Sequence, residues 1–183
     1  MKKLSEKILH KGQWLSLYAA AFENKAGEHV HWEFIRRSRD ARPMAIVAQM
    51  LPSKRFILIK QYRPAIEGYI LGFPAGLWTD DIGQAVIELK QETGYTGTIV
   101  SVSPEMKSNT GIMDEAGCVV YMHVDENDPV NRNPRQELEP EEDIEVLLVS
   151  RDGIGQAMAE ARSQGVAVSP SLWFLFVLPG QFA

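Results

Sequence analysis

The sequence is poor in cysteine and in basic residues. Cys118 is the only cysteine of the 183 residues, so the chain cannot form an internal disulfide or a zinc site built from several thiolates. Cys118 lies in an apolar segment, and we expect a buried hydrophobic residue there rather than a nucleophile. With 19 lysines and arginines against 24 acids, the net charge is −5. This balance argues against a nucleic-acid partner, because such partners select basic surfaces.

Long hydrophobic runs are also missing. The longest apolar run near the end covers residues 172–179, far short of the ~20 residues that span a bilayer. The start, residues 1–7, has no apolar stretch of signal-peptide length. We therefore expect a cytoplasmic protein without a membrane partner. The apolar fraction of 45% and the length suit one globular domain with a small extension.

Strands and helices are predicted from the period of the apolar residues. Strands are expected at residues 14–18, 30–35, 45–50, 56–60, 69–73, 97–103, 116–124 and 144–149. The first two, joined by a turn at 24–27, form a predicted hairpin over residues 13–37. Helices are expected at residues 80–93, 154–163 and 169–177. Because strands and helices mix without strict alternation, we expect an α/β fold with a mixed sheet flanked by helices.

The predicted helix at 80–93 carries the clearest chemical pattern. Its apolar residues form one stripe, Gly94 follows as the usual stop, and Asp80 and Asp81 are expected in the first turn, where negative charge suits the helix dipole. Glu88 and Glu92 are four residues apart and share one face beside the stripe. Like charges at this spacing destabilise a helix slightly. A hard divalent cation would offset them, although a solvated helix face is the plainer interpretation.

Two segments together resemble a known family. They are residues 61–76, which include Gln61-Tyr62-Arg63-Pro64 and Pro74-Ala75-Gly76, and the run from Glu88 to Tyr95. This combination and its spacing resemble the Nudix hydrolases, and most of all their ADP-ribose pyrophosphatase branch. The resemblance implies a Nudix-type α/β/α sandwich over residues 43–183. It also implies an N-terminal β extension, residues 1–42, that serves in homodimer formation and base stacking.

The reaction that the resemblance implies is hydrolysis of a nucleoside diphosphate derivative, ADP-ribose or a similar nucleotide sugar, with release of a nucleoside monophosphate. The cofactor would be Mg²⁺ or Mn²⁺, which polarises phosphate oxygens and activates water. Matched position by position, the metal ligands are Glu88, Glu92 and the backbone oxygen of Ala75. A loop glutamate acts in catalysis beside Glu92, with Glu142 the first choice and Glu139 the second.

The resemblance also implies a set of substrate-binding residues. Trp14 and Trp32 match two aromatic residues that stack on adenine from the two subunits of a dimer. Arg37 and Arg63 match arginines near the phosphates or the ribose, where their planar forks suit bidentate contacts. Glu115 matches an acid that faces the site. Packing in a core or a dimer interface is the alternative interpretation of both tryptophans.

The sequence departs from the family pattern at several positions. The loop between Gly76 and Ile87 is shorter than the pattern and lacks its glutamate, and Ile87 stands where an arginine is usual. Gln91 replaces the first of two paired glutamates, and Gly72 replaces an acid. Fewer acids mean weaker binding of divalent ions. Two alternatives to an enzyme therefore stay open: a Nudix-fold nucleotide-binding protein with little or no hydrolysis, and a structural dimer whose tryptophans anchor the interface.

Overall fold

A computed structural model describes residues 1–38 and 40–177 of the chain. Three strands near the N terminus, β1 (Lys2–Lys11), β2 (Leu15–Glu23) and β3 (His29–Arg37), form an antiparallel sheet with β2 in the middle. The predicted hairpin is confirmed as β2 and β3. The third strand, β1, which extends the hairpin through its pairing with β2, was not predicted. In β1 the register shifts between Lys3 and Ser5 and between Ile8 and His10, which breaks the alternation that marks a strand.

A second, nine-stranded sheet forms the body of the protein in the order β12-β6-β5-β4-β10-β8, with β11 paired to β5, β7 to β4 and β9 to β10. Its strands are β4 (Arg42–Leu51), β5 (Phe56–Arg63), β6 (Gly68–Gly72), β7 (Ala75–Trp78), β8 (Thr98–Val102), β9 (Met106–Lys107), β10 (Ala116–Asp125), β11 (Ile144–Val149) and β12 (Ala167–Val168). The pairs β10–β4 and β12–β6 are parallel and the others antiparallel, so the sheet is mixed, as predicted.

Helices cover both faces of this sheet. The helix α1 (Gln84–Thr93) buries Ala85 and Leu89 against one face, while α2 (Ile154–Ser163) and the short α3 (Pro170–Leu172) pack against the other. Alternation along β4 supplies both cores, since Ile46 faces α1 and Val47 faces α2. The expected α/β/α sandwich is confirmed. None of the helices in the described residues has the length and apolar character needed to cross a membrane.

Three boundaries differ from the prediction. The helix α1 begins at Gln84 rather than at 80, because Asp81 accepts a hydrogen bond from the Gly83 backbone at 2.8 Å and forms a turn before the helix. Asp80 and Asp81 therefore lie outside its first turn. The end at Gly94 is confirmed, with φ 77°. The helix expected at 169–177 is confirmed from Pro170 to Val177, but only α3 is α-helical and the rest, Trp173–Val177, is a π-helix.

The third difference concerns Ala75 and Gly76, where no strand was predicted. Ala75 and Gly76 begin strand β7, which pairs with the first half of β4. The strand β5 pairs with β4 at Phe56 and Ile57, and with β6 from Ile59 onward. After β6, which pairs with β5, the chain crosses over and pairs with β4 as β7. A gap therefore opens between β6 and β7. The gap and β7 lie beside α1, where the chemistry-bearing residues gather.

Candidate functional site

Near its C-terminal end, α1 carries a carboxylate into the protein interior. Glu92 is 2% exposed, and its Oε2 accepts a hydrogen bond from the Ala75 backbone N–H at 2.9 Å. Burial raises the pKa of Glu92 to about 8, although the hydrogen bond from Ala75 lowers it; the charges of Glu142 and Glu88 raise it further. A carboxyl group in this environment gains strongly from a nearby cation.

Glu88 lies one turn earlier on the same face of α1. Burial raises the pKa of this half-buried carboxyl, against hydrogen bonds from the side chain of Gln84 and the backbone of Leu77. The side-chain Nε2 of Gln84 donates to Oε1 of Glu88 at 3.4 Å. A Cβ atom at Gly76 would lie 2.4 Å from Cδ of Glu88. Glycine at position 76 therefore lets β7 pass over this carboxylate without displacing it.

The departures Ile87 and Gln91 have visible consequences. Ile87 is 51% exposed, so no cation of α1 orients the two carboxylates from that position. Backbone N–H groups of β7, those of Ala75 and Leu77, orient them instead. The backbone oxygen of Gln91 accepts a hydrogen bond from the Glu137 backbone at 2.8 Å. That bond ties the acidic loop, residues 137–143, to α1 close to Glu92.

The acidic loop brings two further glutamates near the helix. Oε2 of Glu142 accepts a hydrogen bond from the Glu139 backbone N–H at 2.9 Å, and the Glu142 backbone N–H donates to the Glu139 oxygen at 3.0 Å. The charge of Glu142 raises the pKa of both Glu88 and Glu92, while that of Glu139 acts on Glu88. The order of preference, Glu142 before Glu139, remains a prediction.

The donor set can be tested for its fit to a metal ion. Within the described part of the chain, neither Glu88 nor Glu92 forms an ion pair. Two carboxylates that are desolvated and repel each other fit a hard divalent ion by charge and by ligand type. No group of three His, Cys, Asp or Glu side chains in residues 1–38 and 40–177 converges closely enough to hold a metal. The side chains therefore supply a pair of carboxylates, Glu88 and Glu92, rather than a cluster of three.

A cavity of about 430 Å³ lies at the Leu77–Trp78 end of β7. Trp14 and Arg37 from the N-terminal sheet line it together with Trp78 and Gln84, and Gln84 connects it to Glu88. Two predicted residues, Trp14 and Arg37, are thus brought together. Trp78 was missed, although its place two residues after Gly76 is a signal that could have found it. The guanidinium of Arg42 lies 3.9 Å from the centre of the Trp78 ring.

Two more predicted residues lie outside this lining. Glu115 accepts a hydrogen bond from Nε of Arg37 at 2.5 Å, so it lies beside the cavity. Trp32 is 53% exposed and its Nε1 donates to the Gly111 oxygen at 3.2 Å. It precedes Arg37 by five positions on β3, roughly 17 Å at ~3.4 Å per residue. The chain therefore does not bring Trp32 to its own Trp14.

A smaller cavity of about 230 Å³ lies at the Ala75 end of β7. Arg63 lines it with Gln61, Ala75, Ser169 and Ser171. The positive charge of Arg63 lowers the pKa of Glu92, so this cavity and the carboxylates are neighbours. Glu88 and Glu92 thus lie beside β7, between the cavity of Trp14 and Trp78 at one end and the cavity of Arg63 at the other. The geometry suits a bipartite ligand with a charged centre.

Comparisons with known proteins give the family. No protein-family model matches the chain. A Caenorhabditis elegans protein named "Putative nudix hydrolase 2" is 30% identical, with 98% of this chain and 85% of that protein covered. The ADP-ribose pyrophosphatase of Saccharomyces cerevisiae is 31% identical, with 84% and 71% covered. A crystal structure of an ADP compounds hydrolase matches the fold at a TM-score of 0.66 and 18% identity, covering 87% of this chain and 84% of that one. The chain therefore belongs to the Nudix hydrolase family of pyrophosphohydrolases.

Proposed function

We propose that this protein hydrolyses the phosphoric anhydride of a nucleoside diphosphate derivative, ADP-ribose or a similar nucleotide sugar. Water attacks one phosphorus, the bridging P–O bond breaks, and a nucleoside monophosphate leaves together with a phosphorylated sugar. The observation that carries the proposal is the pair of desolvated carboxylates, Glu88 and Glu92, placed between two cavities of different chemistry. The name of the yeast relative supports ADP-ribose as the first substrate to test.

A divalent ion, Mg²⁺ or Mn²⁺, would be held by Glu88, Glu92 and the backbone oxygen of Ala75. When bound, it supplies polarisation of the phosphate oxygens and a lowered pKa of water. The chain's own residues do the rest. Glu142, with Glu139 as the second choice, accepts the proton of the attacking water. Because the protein is acidic overall, an anionic substrate needs a bound cation to approach these carboxylates.

The binding residues divide between the two ends of the substrate. Trp14 offers a flat face to the base in the larger cavity, beside Arg37. Glu115 fixes the guanidinium of Arg37 through their hydrogen bond of 2.5 Å, so that its free N–H groups point at phosphate or ribose oxygens. Arg63 reaches the diphosphate from the smaller cavity. Both arginines thus neutralise substrate charge from opposite ends of β7.

Homodimer formation is part of the proposal. The N-terminal extension, residues 1–42, leaves large apolar side chains exposed, among them Leu4, Ile8, Leu9 and Trp32. Trp32 does not reach its own chain's base cavity, which supports a role for it in a second subunit. A cytoplasmic location is proposed as well, because the only cysteine is buried and unpaired, as suits a reducing compartment.

A second candidate function is nucleotide binding with little or no hydrolysis. Three features favour it, because each weakens the binding of a divalent ion. The site has only two carboxylates, Ile87 stands in place of an arginine, and Gln91 stands in place of a glutamate. A purely structural dimer is the third. Turnover separates the first two candidates, and nucleotide binding separates the second from the third.

The test is release of AMP from ADP-ribose by the purified protein with Mg²⁺, beside NADH and GDP-mannose. We expect turnover that needs the metal and that falls by ~10²–10³-fold in Glu92→Gln. Glu160→Gln, on the exposed face of α2, is the matched control and should keep wild-type turnover. No turnover with calorimetric nucleotide binding intact would establish the binding protein. Neither turnover nor binding would leave the structural dimer.

A further inference from the structure

The acidic loop carries a dense block of negative charge. Five of its seven residues are acids, and a block of like charges repels itself and extends. One of the five, Glu137, pairs with Lys90 of α1 at 2.8 Å, but an exposed ion pair of this kind contributes little. The position of the loop beside α1 therefore depends on further contacts at its two ends.

The start of the loop is joined to the C-terminal end of α1. The last carbonyl groups of a helix have no partner within the helix. The oxygen of Gln91, one of these groups, accepts a hydrogen bond from the Glu137 backbone N–H at 2.8 Å. The chain also passes close to Gly94, where an added Cβ would lie 2.4 Å from the Arg135 nitrogen. The segment that leads into the loop is thus packed against the end of the helix.

The side chain of Gln136 connects both ends of the loop to α1. Its Nε2 donates to the Glu92 oxygen at 2.7 Å and to the Ile144 oxygen at 3.0 Å. A glutamine NH₂ group has two donors, enough for both oxygens. Ile144 directly follows the loop and begins β11, where it pairs with Gln61 of β5. One amide therefore holds together the end of α1, the start of the loop and the start of β11.

The glutamates of the loop are tied to this base. Glu142 lies two residues before Ile144. Its backbone N–H donates to the Glu139 oxygen at 3.0 Å, and its Oε2 accepts from the Glu139 backbone N–H at 2.9 Å. These two bonds close a compact turn next to the base of the loop. A displacement of the base would therefore carry Glu142 away from Glu92.

We propose that Gln136 is a positioning residue, which holds the acidic loop against α1 and so fixes Glu142 relative to the carboxylates Glu88 and Glu92. The inference rests on the proposed function and adds to it how the proton acceptor is kept in place. Gln136 acts through Glu142 and not on the substrate. Its loss should therefore slow the reaction without weakening the binding of the substrate.

The first test removes the two donors of Gln136 and keeps a side chain of similar length. In Gln136→Met we expect kcat for Mg²⁺-dependent hydrolysis of ADP-ribose to fall about tenfold, because a displaced catalytic group is rarely in the reactive geometry. KM should stay within about twofold of wild type. Gln156→Met, on the exposed face of α2, is the matched control and should change neither constant. An unchanged kcat, or a rise in KM that matches the fall in kcat, would overturn the proposal.

Hydrogen exchange tests the same contact without any reaction. The amide of Glu137, which is bonded to the Gln91 oxygen, should exchange about fivefold faster in Gln136→Met. The amide of Leu89, inside α1, should keep its wild-type rate. If the wild-type protein does not hydrolyse ADP-ribose, faster exchange at Glu137 would sustain the role of Gln136 in holding the loop, and the proposed function alone would fail. Unchanged exchange at Glu137 would overturn that role, whether or not the protein is active.

Discussion

The two sheets of this protein have the same local structure and different sources of stability. In β4 no residue is exposed, and both faces are covered by helices. In β1 all residues but one are exposed. A strand of the large sheet is stabilised mainly by the apolar area that it buries. The N-terminal sheet depends on its own ladder and on cross-strand contacts, such as the stacked rings of Tyr18 and Phe34, whose centres lie 5.5 Å apart.

The N-terminal sheet is held to the body at a few points near the end of β3. The Ile35 backbone N–H donates to the Ile112 oxygen at 2.8 Å. Arg36 pairs with Asp114, and Arg37 with Glu115. These contacts lie beside the Trp14 cavity, so the small sheet is anchored where it contributes to the site. Strand β1 of the small sheet keeps exposed apolar side chains, such as Ile8 and Leu9, whereas β4 at the centre of the large sheet is covered on both faces.

The largest expected effect is on dimer formation, which we assign to the N-terminal sheet and not to the large sheet. We expect a particle of twice 20.5 kDa in light scattering, and Ile8→Asp should weaken the dimer by roughly 100-fold, because a charge in an apolar interface is not compensated. Ser5→Asp is the control, because it introduces the same charge on the other face of β1, where Ser5 pairs with Ala21 and Ile8 with Tyr18. A wild-type protein that is monomeric at micromolar concentration would contradict the homodimer.

The second prediction compares the cores directly. Leu89 of α1 is fully buried against the large sheet, whereas Leu9 of β1 is 43% exposed. Leu89→Ala should lower the free energy of unfolding by ~2–5 kcal/mol, and Leu9→Ala by less than ~1 kcal/mol. Urea unfolding of both variants in the Ile8→Asp background measures the difference without the dimer. Equal losses would mean that the N-terminal sheet has a core of its own, and the contrast between the sheets would fail.

The third prediction divides the two tryptophans between subunits. Trp14→Ala and Trp32→Ala should each raise KM for ADP-ribose by about 5–100-fold, since one stacked base contributes ~1–3 kcal/mol. In the Ile8→Asp background, Trp14→Ala should still act and Trp32→Ala should add nothing. Trp173→Ala, far along the chain and 43% exposed, serves as the control. An effect of Trp32→Ala that persists in the monomer would mean that Trp32 acts within its own chain.

The smallest expected effect is on how the free energy of unfolding changes with pH. The folded-state pKa of Glu92, about 8, lies above its ordinary value of 4.5, so the folded protein retains a proton that the unfolded chain loses. Metal-free protein should therefore lose stability as pH rises from about 5 to 8, on the order of 1–3 kcal/mol. Glu92→Gln should remove this slope in thermal unfolding. Identical slopes in the two proteins would refute the assignment to Glu92.

The same contrast explains which elements could be predicted. The strands of the large sheet show clear apolar runs or alternation, because packing against helices selects those side chains. The strand β1 has charged residues, two register shifts and no covering layer, so its sequence carries no comparable pattern. Ala75 and Gly76 begin a strand because the first half of β4, which pairs with β10 along one edge, has its other edge open to β7. That pairing depends on residues far away along the chain.

By itself, the sequence determined the mixed sheet flanked by helices, the end of α1 at Gly94 and the placing of Glu88 and Glu92 on one helical face. Each follows from local period or from a backbone preference. Only the tertiary structure decided that β7 orients both carboxylates, that Trp78 joins Trp14 around a cavity, and that Arg63 lies near Glu92 at a second cavity. These properties arise from contacts between segments distant in sequence, and burial, which sets the pKa of Glu92, exists only after those segments have packed together.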